Sequence, residues 1–208
     1  SASITSFIQA NNIVTAAGSF TMRYGGGPFA IWGAAEIQFD SGAIPFLDDV
    51  GIRANAEIFL RINTDTAVQN VQFDLPKPGG PVGATIHESF DLQPGSFGLY
   101  LVGELTFKKG PISFVMGGIF SVDFVYQAAT HDFRFDMFVF AHLKLGVADV
   151  TLLTTDTLGL LEISNDGFAA MLAVKVDAGI SGGKQLFTFD FDFTLFTNTT
   201  GRDVSYTL

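Results

Sequence analysis

Apolar and polar residues alternate along most of the chain with a period of two, the spacing that puts successive side chains on opposite faces of a β-strand. Phe187, Phe189, Phe191, Phe193 and Leu195 fall on one side, and Thr188, Asp190, Asp192 and Thr194 on the other. The same rhythm sets Phe133, Phe135, Met137, Val139, Ala141, Leu143 and Leu145 against Asp132, Arg134, Asp136, His142 and Lys144. A helix would scatter these positions around its circumference, and no 3.6-residue period is sustained, so the pattern predicts an all-β protein with essentially no α-helix.

The strands recur. Gly27-Pro28-Phe29-Ala30-Ile31 leads to Glu36-Ile37-Gln38-Phe39 with the same spacing by which Gly95-Ser96-Phe97-Gly98-Leu99 leads to Glu104-Leu105-Thr106-Phe107. A third copy runs from Gly167-Phe168-Ala169-Ala170 to Val176, and Ile62-Asn63-Thr64-Asp65 matches Thr197-Asn198-Thr199-Thr200. Between them, Val125–Thr130 takes the equivalent bend, and Val71-Gln72-Phe73-Asp74 resembles Phe133-Arg134-Phe135-Asp136. The period of about seventy residues divides a single domain, 1–208, into units 13–84, 85–149 and 150–208, each of about four strands. Gly25-Gly26-Gly27, Pro94-Gly95, Asn165-Asp166-Gly167 and Gly182-Gly183-Lys184-Gln185 read as tight turns joining antiparallel neighbours. The expected architecture is an antiparallel meander of about eleven strands, closing as a sandwich or flattened barrel or remaining an open curved sheet. The stretches Asp40–Val50, with Pro45, and Pro76–Gly83 interrupt the pattern and read as connections. The phase of the repeat begins and ends inside a unit. It therefore predicts a segment of a longer array, with Ser1–Ala10 and a terminal strand Asp203–Leu208 as edges open to pairing.

Composition sharpens the picture. With 23 Phe and 48% hydrophobic residues against 15% charged, the chain has more apolar surface than its charged residues can mask, which predicts a partner or ligand over part of it. A net charge of −10 with 11 Lys and Arg offers no basic stripe for nucleic acid, and no apolar run is long enough for a spanning helix. Zero Cys removes disulfides and thiolate metal sites. The first residues, Ser1-Ala2-Ser3-Ile4-Thr5, lack the pattern of a signal peptide, in keeping with a mature, processed or excised chain.

The Asn-Thr turns at 63–65 and 198–201, followed in register by a hairpin of the Ser164-Asn165-Asp166-Gly167-Phe168-Ala169-Ala170 type, resemble the tandem β-repeats of very large bacterial surface or secreted proteins. The resemblance implies an extracellular or cell-envelope location and an adhesive or structural role, and it brings no active site with it.

The residues themselves nominate no catalytic, cofactor-binding or metal site. His87-Glu88 and His131-Asp132 are adjacent on their strands and so point to opposite faces, and His142 has no second imidazole at metal-binding spacing. Asp190 with Asp192, and Asp132 with Asp136, share a face and form the best candidates for Ca²⁺, with a solvated polar row as the plainer alternative. Asp48-Asp49 reads as a turn. Trp32 stands apart from Tyr24, Tyr100 and Tyr126, so an aromatic platform for sugars has no obvious members. The expectation is a non-enzymatic structural or adhesive β-repeat segment that associates end to end through strand edges. The alternative is a binder of lipid or another hydrophobic ligand in a Phe-lined groove or barrel, and a glycan-active enzyme ranks last.

Overall fold

The computed structural model describes residues 2–10, 14–24, 27–43, 47, 49–76, 84–148, 150–182 and 184–204. Ten strands form one antiparallel sheet: β1 (Ala2–Ala10), β2 (Val14–Arg23), β3 (Ala30–Asp40), β4 (Ile52–Asn63), β7 (Ser96–Lys109), β8 (Ile112–Gln127), β9 (Asp132–Val147), β10 (Val150–Ser164), β11 (Gly167–Gly182) and β12 (Lys184–Asn198). They lie side by side in chain order except between β4 and β7. There the chain leaves the sheet to make a separate hairpin, β5 (Gln69–Pro76) with β6 (Thr85–Leu92), and then returns to pair with β4. The twelve strands among the described residues agree with the expected count of about eleven, and of the expected alternatives the meander takes the open one, with β1 and β12 at its edges. Among the described residues the second edge is β12; Asp203 and Val204, the start of the expected terminal strand, are not in a strand, and 205–208 lie outside the described residues.

Alternation accounts for the strands, and glycine accounts for where they approach or turn. Gly95 has φ 61°, and a Cβ there would sit 2.2 Å from the Tyr126 carbonyl oxygen, so only glycine fits the turn into β7. At Gly33 the Phe20 ring of the paired strand lies over the backbone, with Cδ1 2.2 Å from where a Cβ would be. The 3-10 turn Ser41–Ala43 opens the connection from β3 to β4, at the end of two interior strands. Within the other long connection, Pro76 still belongs to β5, and residues 77–83 lie outside the described set. Of the expected turns, Gly167 has φ 133°, and Gly182 pairs with Lys184 across the β11–β12 hairpin.

The hairpin β5–β6 is the element stacked on the sheet among the described residues, and it sits over β2, β3 and β4. Val71, Phe73 and Leu92 pack on Ala17 and Ala34, with Trp32, Phe59 and Phe90 around them. The Phe59 and Phe90 ring centroids are 4.8 Å apart. This is the best-buried apolar cluster of the described chain.

Candidate functional site

Register decides what each face of the sheet carries, because paired residues of antiparallel strands project to the same side. From β2 to β12 one side collects the alternate residues Ala16, Ile37, Ile58, Leu101, Phe120, Val139, Gly159, Leu172 and Leu195 in a single row across nine strands. The rows above and below have the same character, running for instance through Phe20, Ile62, Phe97, Phe124, Phe135, Ile163 and Phe168. Among the described strand residues of this parity, the charged ones are Lys109, at the end of β7, whose ammonium donates to the Asp49 carbonyl at 2.9 Å, and Lys184, opposite Gly182 at the start of β12.

The opposite side holds the charges. Arg61 pairs with Asp123; Arg134 reaches Asp136 at 2.8 Å and Glu162 at 3.4 Å; Arg202 pairs with Glu162 and lies 3.5 Å from Asp166. Burial pushes the Asp136 carboxyl up, while its hydrogen bond from Arg134 pulls the other way. At the hairpin end, Arg23 donates to Asp65 at 2.8 Å and holds that carboxyl below its usual range, with help from the Thr66 amide and Gln69.

The two sides also differ in curvature. Phe138, Ser121 and Ala169, all on the charged side, are buried although the hairpin does not reach over their strands, so the sheet curls toward that side. The apolar side is the convex one. Leu101, Met116, Leu172 and the row Phe189, Phe191 and Phe193 stand exposed on it, the last three with parallel rings and 6.5 Å centroid spacings. Among the described residues the sheet's stacked cover lies on the charged face, over the three strands from β2 to β4.

The residues singled out from sequence are dispersed. His87 meets Asp74 across the β5–β6 hairpin at 2.9 Å, and His142 meets Asp156 across β9–β10 at 2.5 Å. His131 occupies a turn at φ 58° against the Tyr126 hydroxyl, 3.0 Å away. Neither adjacent dipeptide, His87-Glu88 or His131-Asp132, forms a pair. Asp190 lies opposite Asp177, and Asp192 opposite Lys175; Asp136 is engaged by Arg134. Among the described residues no group of three or more His, Cys, Asp or Glu is placed to hold a metal ion. Asp49 offers its carbonyl to Lys109, and Asp48 lies outside the described residues. Trp32 belongs to the cluster under the hairpin, with the Arg23 guanidinium 6.0 Å from its ring centre, while Tyr100 and Tyr126 fall on opposite faces.

Sequence reasoning missed the convex face as a unit. Each strand shows its own alternation, but only the pairing register reveals that the apolar phase is shared by nine strands in succession. Comparison with family models, with curated proteins and with solved structures gives no match.

Proposed function

We propose that this chain is a curved β-sheet segment whose convex face is applied to hydrocarbon, the acyl chains of lipids. The observation that carries the reading is the apolar parity maintained from β2 to β12, with charged residues only at strand ends among the described residues. At about 4.8 Å between strands and 3.3 Å per residue, this face spans on the order of 40 Å by 40 Å. That is several times the few hundred Å² of contiguous apolar surface that a soluble monomer tolerates. A protein–protein interface of that size carries roughly one hydrogen bond per 100–200 Å², or about ten. The hydroxyls available are those of Tyr126, Thr155, Thr157 and Thr197, too few for such an interface and well suited to a hydrocarbon neighbour that asks for none.

The acyl chains could come from a bilayer or from individual lipid molecules, and two experiments separate these sources. Organic extraction and native mass spectrometry of the purified chain report bound lipid molecules, and flotation with zwitterionic vesicles reports a bilayer. Lipid in either experiment supports the reading; a chain that carries no lipid and stays at the bottom of the gradient contradicts it.

A second reading, structural association through strand edges, is favoured by β1 and β12, each paired on one side only among the described residues. Electron microscopy of concentrated protein tests it: filaments or end-to-end oligomers are expected, and uniform monomeric particles count against it. In both readings we place the chain at the cell exterior, on the likeness of its Asn-Thr turns to bacterial surface repeats.

A further inference from the structure

The turns that end β4 and β12 are the same piece of structure made twice. After β4, the Thr64 amide donates to the Ile31 carbonyl at 2.8 Å and the Ile31 amide to Thr64 Oγ1 at 2.8 Å. After β12, the Thr199 amide donates to the Phe168 carbonyl at 2.8 Å and the Phe168 amide to Thr199 Oγ1 at 3.0 Å. Asn63 Nδ2 caps the Ala67 carbonyl at 2.9 Å while its Oδ1 accepts from the Asp65 amide. Asn198 does the same with the Arg202 carbonyl, at 2.8 Å, and the Thr200 amide.

This equivalence sets the strands β2, β3 and β4 against β10, β11 and β12 in a fixed register. Ala17 pairs with Glu36 as Leu158 pairs with Ala173, and Asn63 lies opposite Trp32 as Asn198 lies opposite Ala169. In the first set, the chain leaving the Asn63 turn folds back as β5–β6 and seats Val71 and Phe73 on the charged face against Ala17 and Ala34. Overlapping the equivalent place in the second set, at Leu158 and Thr194, there is a cavity of about 280 Å³. Phe140, Leu158 and Ala173 supply its apolar lining, and Asp156, Lys175 and Asp192 its charged groups. Its volume lies below the roughly 300–1,000 Å³ of small-molecule pockets, which suits one or two inserted side chains better than a free ligand.

We propose that the concave face of β10–β12 is a docking site for an amphipathic β-hairpin of the β5–β6 kind, with apolar residues at alternate positions entering the cavity. The occupant is argued from the existing interface, whose strand register and closing turn the sheet repeats, with Leu158 and Met171 in the places of Ala17 and Ala34.

The test uses the absence of native Cys. A single reporter, Ala173→Cys, is placed in the cavity, and Thr155→Cys on the convex face serves as control. Each is made in the full chain and in a chain that carries a second copy of residues 68–93 directly after Arg202. The expected result is at least a tenfold slower reaction of the cavity thiol with a soluble maleimide in the extended chain, with the control unchanged. Replacing the appended copies of Val71 and Phe73 by Ser should restore the fast rate. Because Leu158 replaces Ala17 and Thr194 replaces Phe59, the same comparison is run with Leu158→Ala and Thr194→Phe. Absence of protection in both backgrounds overturns the proposal. So does protection of the unextended chain that rises with protein concentration, since that assigns the surface to a second copy.

Discussion

The strands β2–β4 and β10–β12 present the same register and the same closing turn, yet one set is roofed and the other is bare. Over β2–β4, Phe73 is 4% exposed, whereas on the same face of β12 Asp192 and Thr194 stand exposed with nothing described above them. Strand geometry is thus common to both regions, and the difference lies in what is stacked on them. The sheet ladder supplies hydrogen bonds everywhere; apolar burial is concentrated where β5–β6 returns.

The largest expected break in this comparison comes from the core beneath the roof. Phe73→Ala removes a buried ring and should cost about 3–5 kcal/mol, while Phe193→Ala should stay within about 1 kcal/mol. Urea unfolding followed by the fluorescence of Trp32, which sits in the same cluster, measures the first change directly. Similar losses for the two variants would mean that the roofed and bare regions are not energetically distinct.

The turns give a smaller contrast. Asn63 is fully buried and donates to both the Ala67 and Leu92 carbonyls at 2.9 Å, so it ties the turn to the end of β6. Asn198 makes the turn bonds in an exposed setting and has no hairpin to tie. Asn63→Ala should cost about 2–3 kcal/mol, since it leaves buried backbone groups unpaired, and Asn198→Ala about 1 kcal/mol or less. Hydrogen exchange at the two turns checks this: Asn63→Ala should release β5–β6 amides, and Asn198→Ala should act only locally.

The smallest effect depends on pH. Glu36 lies buried beneath the roof, and desolvation raises its carboxyl above the ordinary value, aided by the nearby Glu57 and Glu88 and opposed by the hydrogen bond from Gln38. The folded chain therefore holds this proton to higher pH than the unfolded chain does. The resulting stability is present below the ordinary value of 4.5 and is lost as pH rises through the folded value. Glu36→Gln should accordingly match the parent near pH 4 and exceed it at pH 7, by about 2–4 °C in melting temperature. A gap that is the same at both pH values would contradict the burial argument.

Much of this fold is legible in the sequence, and particular residues show where legibility stops. Phe187 through Leu195 announce a strand, and the Asn63 and Asn198 segments announce a recurring turn. Whether a strand after such a turn stays in the sheet is a different matter. Val71-Gln72-Phe73-Asp74 and Phe133-Arg134-Phe135-Asp136 look alike, but the first leaves the sheet as β5 and the second continues it as β9. Their local patterns are equally strand-like, and long-range packing on Ala17 and Ala34 separates them. The bulges at Thr151/Leu153 and Ile180/Ser181 switch which alternate positions face each side, so that Val150 and Leu153, or Lys184 and Phe187, share a face despite their odd spacing. Cross-strand partners are hidden for a related reason: His142 finds Asp156 through a pairing register, whereas its sequence neighbours project to the other face. The convex apolar face itself needed every register at once.

The most direct test of that face is photo-crosslinking of the purified chain with a diazirine-bearing acyl chain, mapped residue by residue by mass spectrometry. Labels are expected on alternate residues of the convex parity, such as Leu101, Phe120, Val139 and Leu172, and competition with unlabelled fatty acid should remove them. Labels on the concave neighbours Val102, Ile119 and Phe140, or none that the competitor displaces, would contradict the assignment of this face to hydrocarbon.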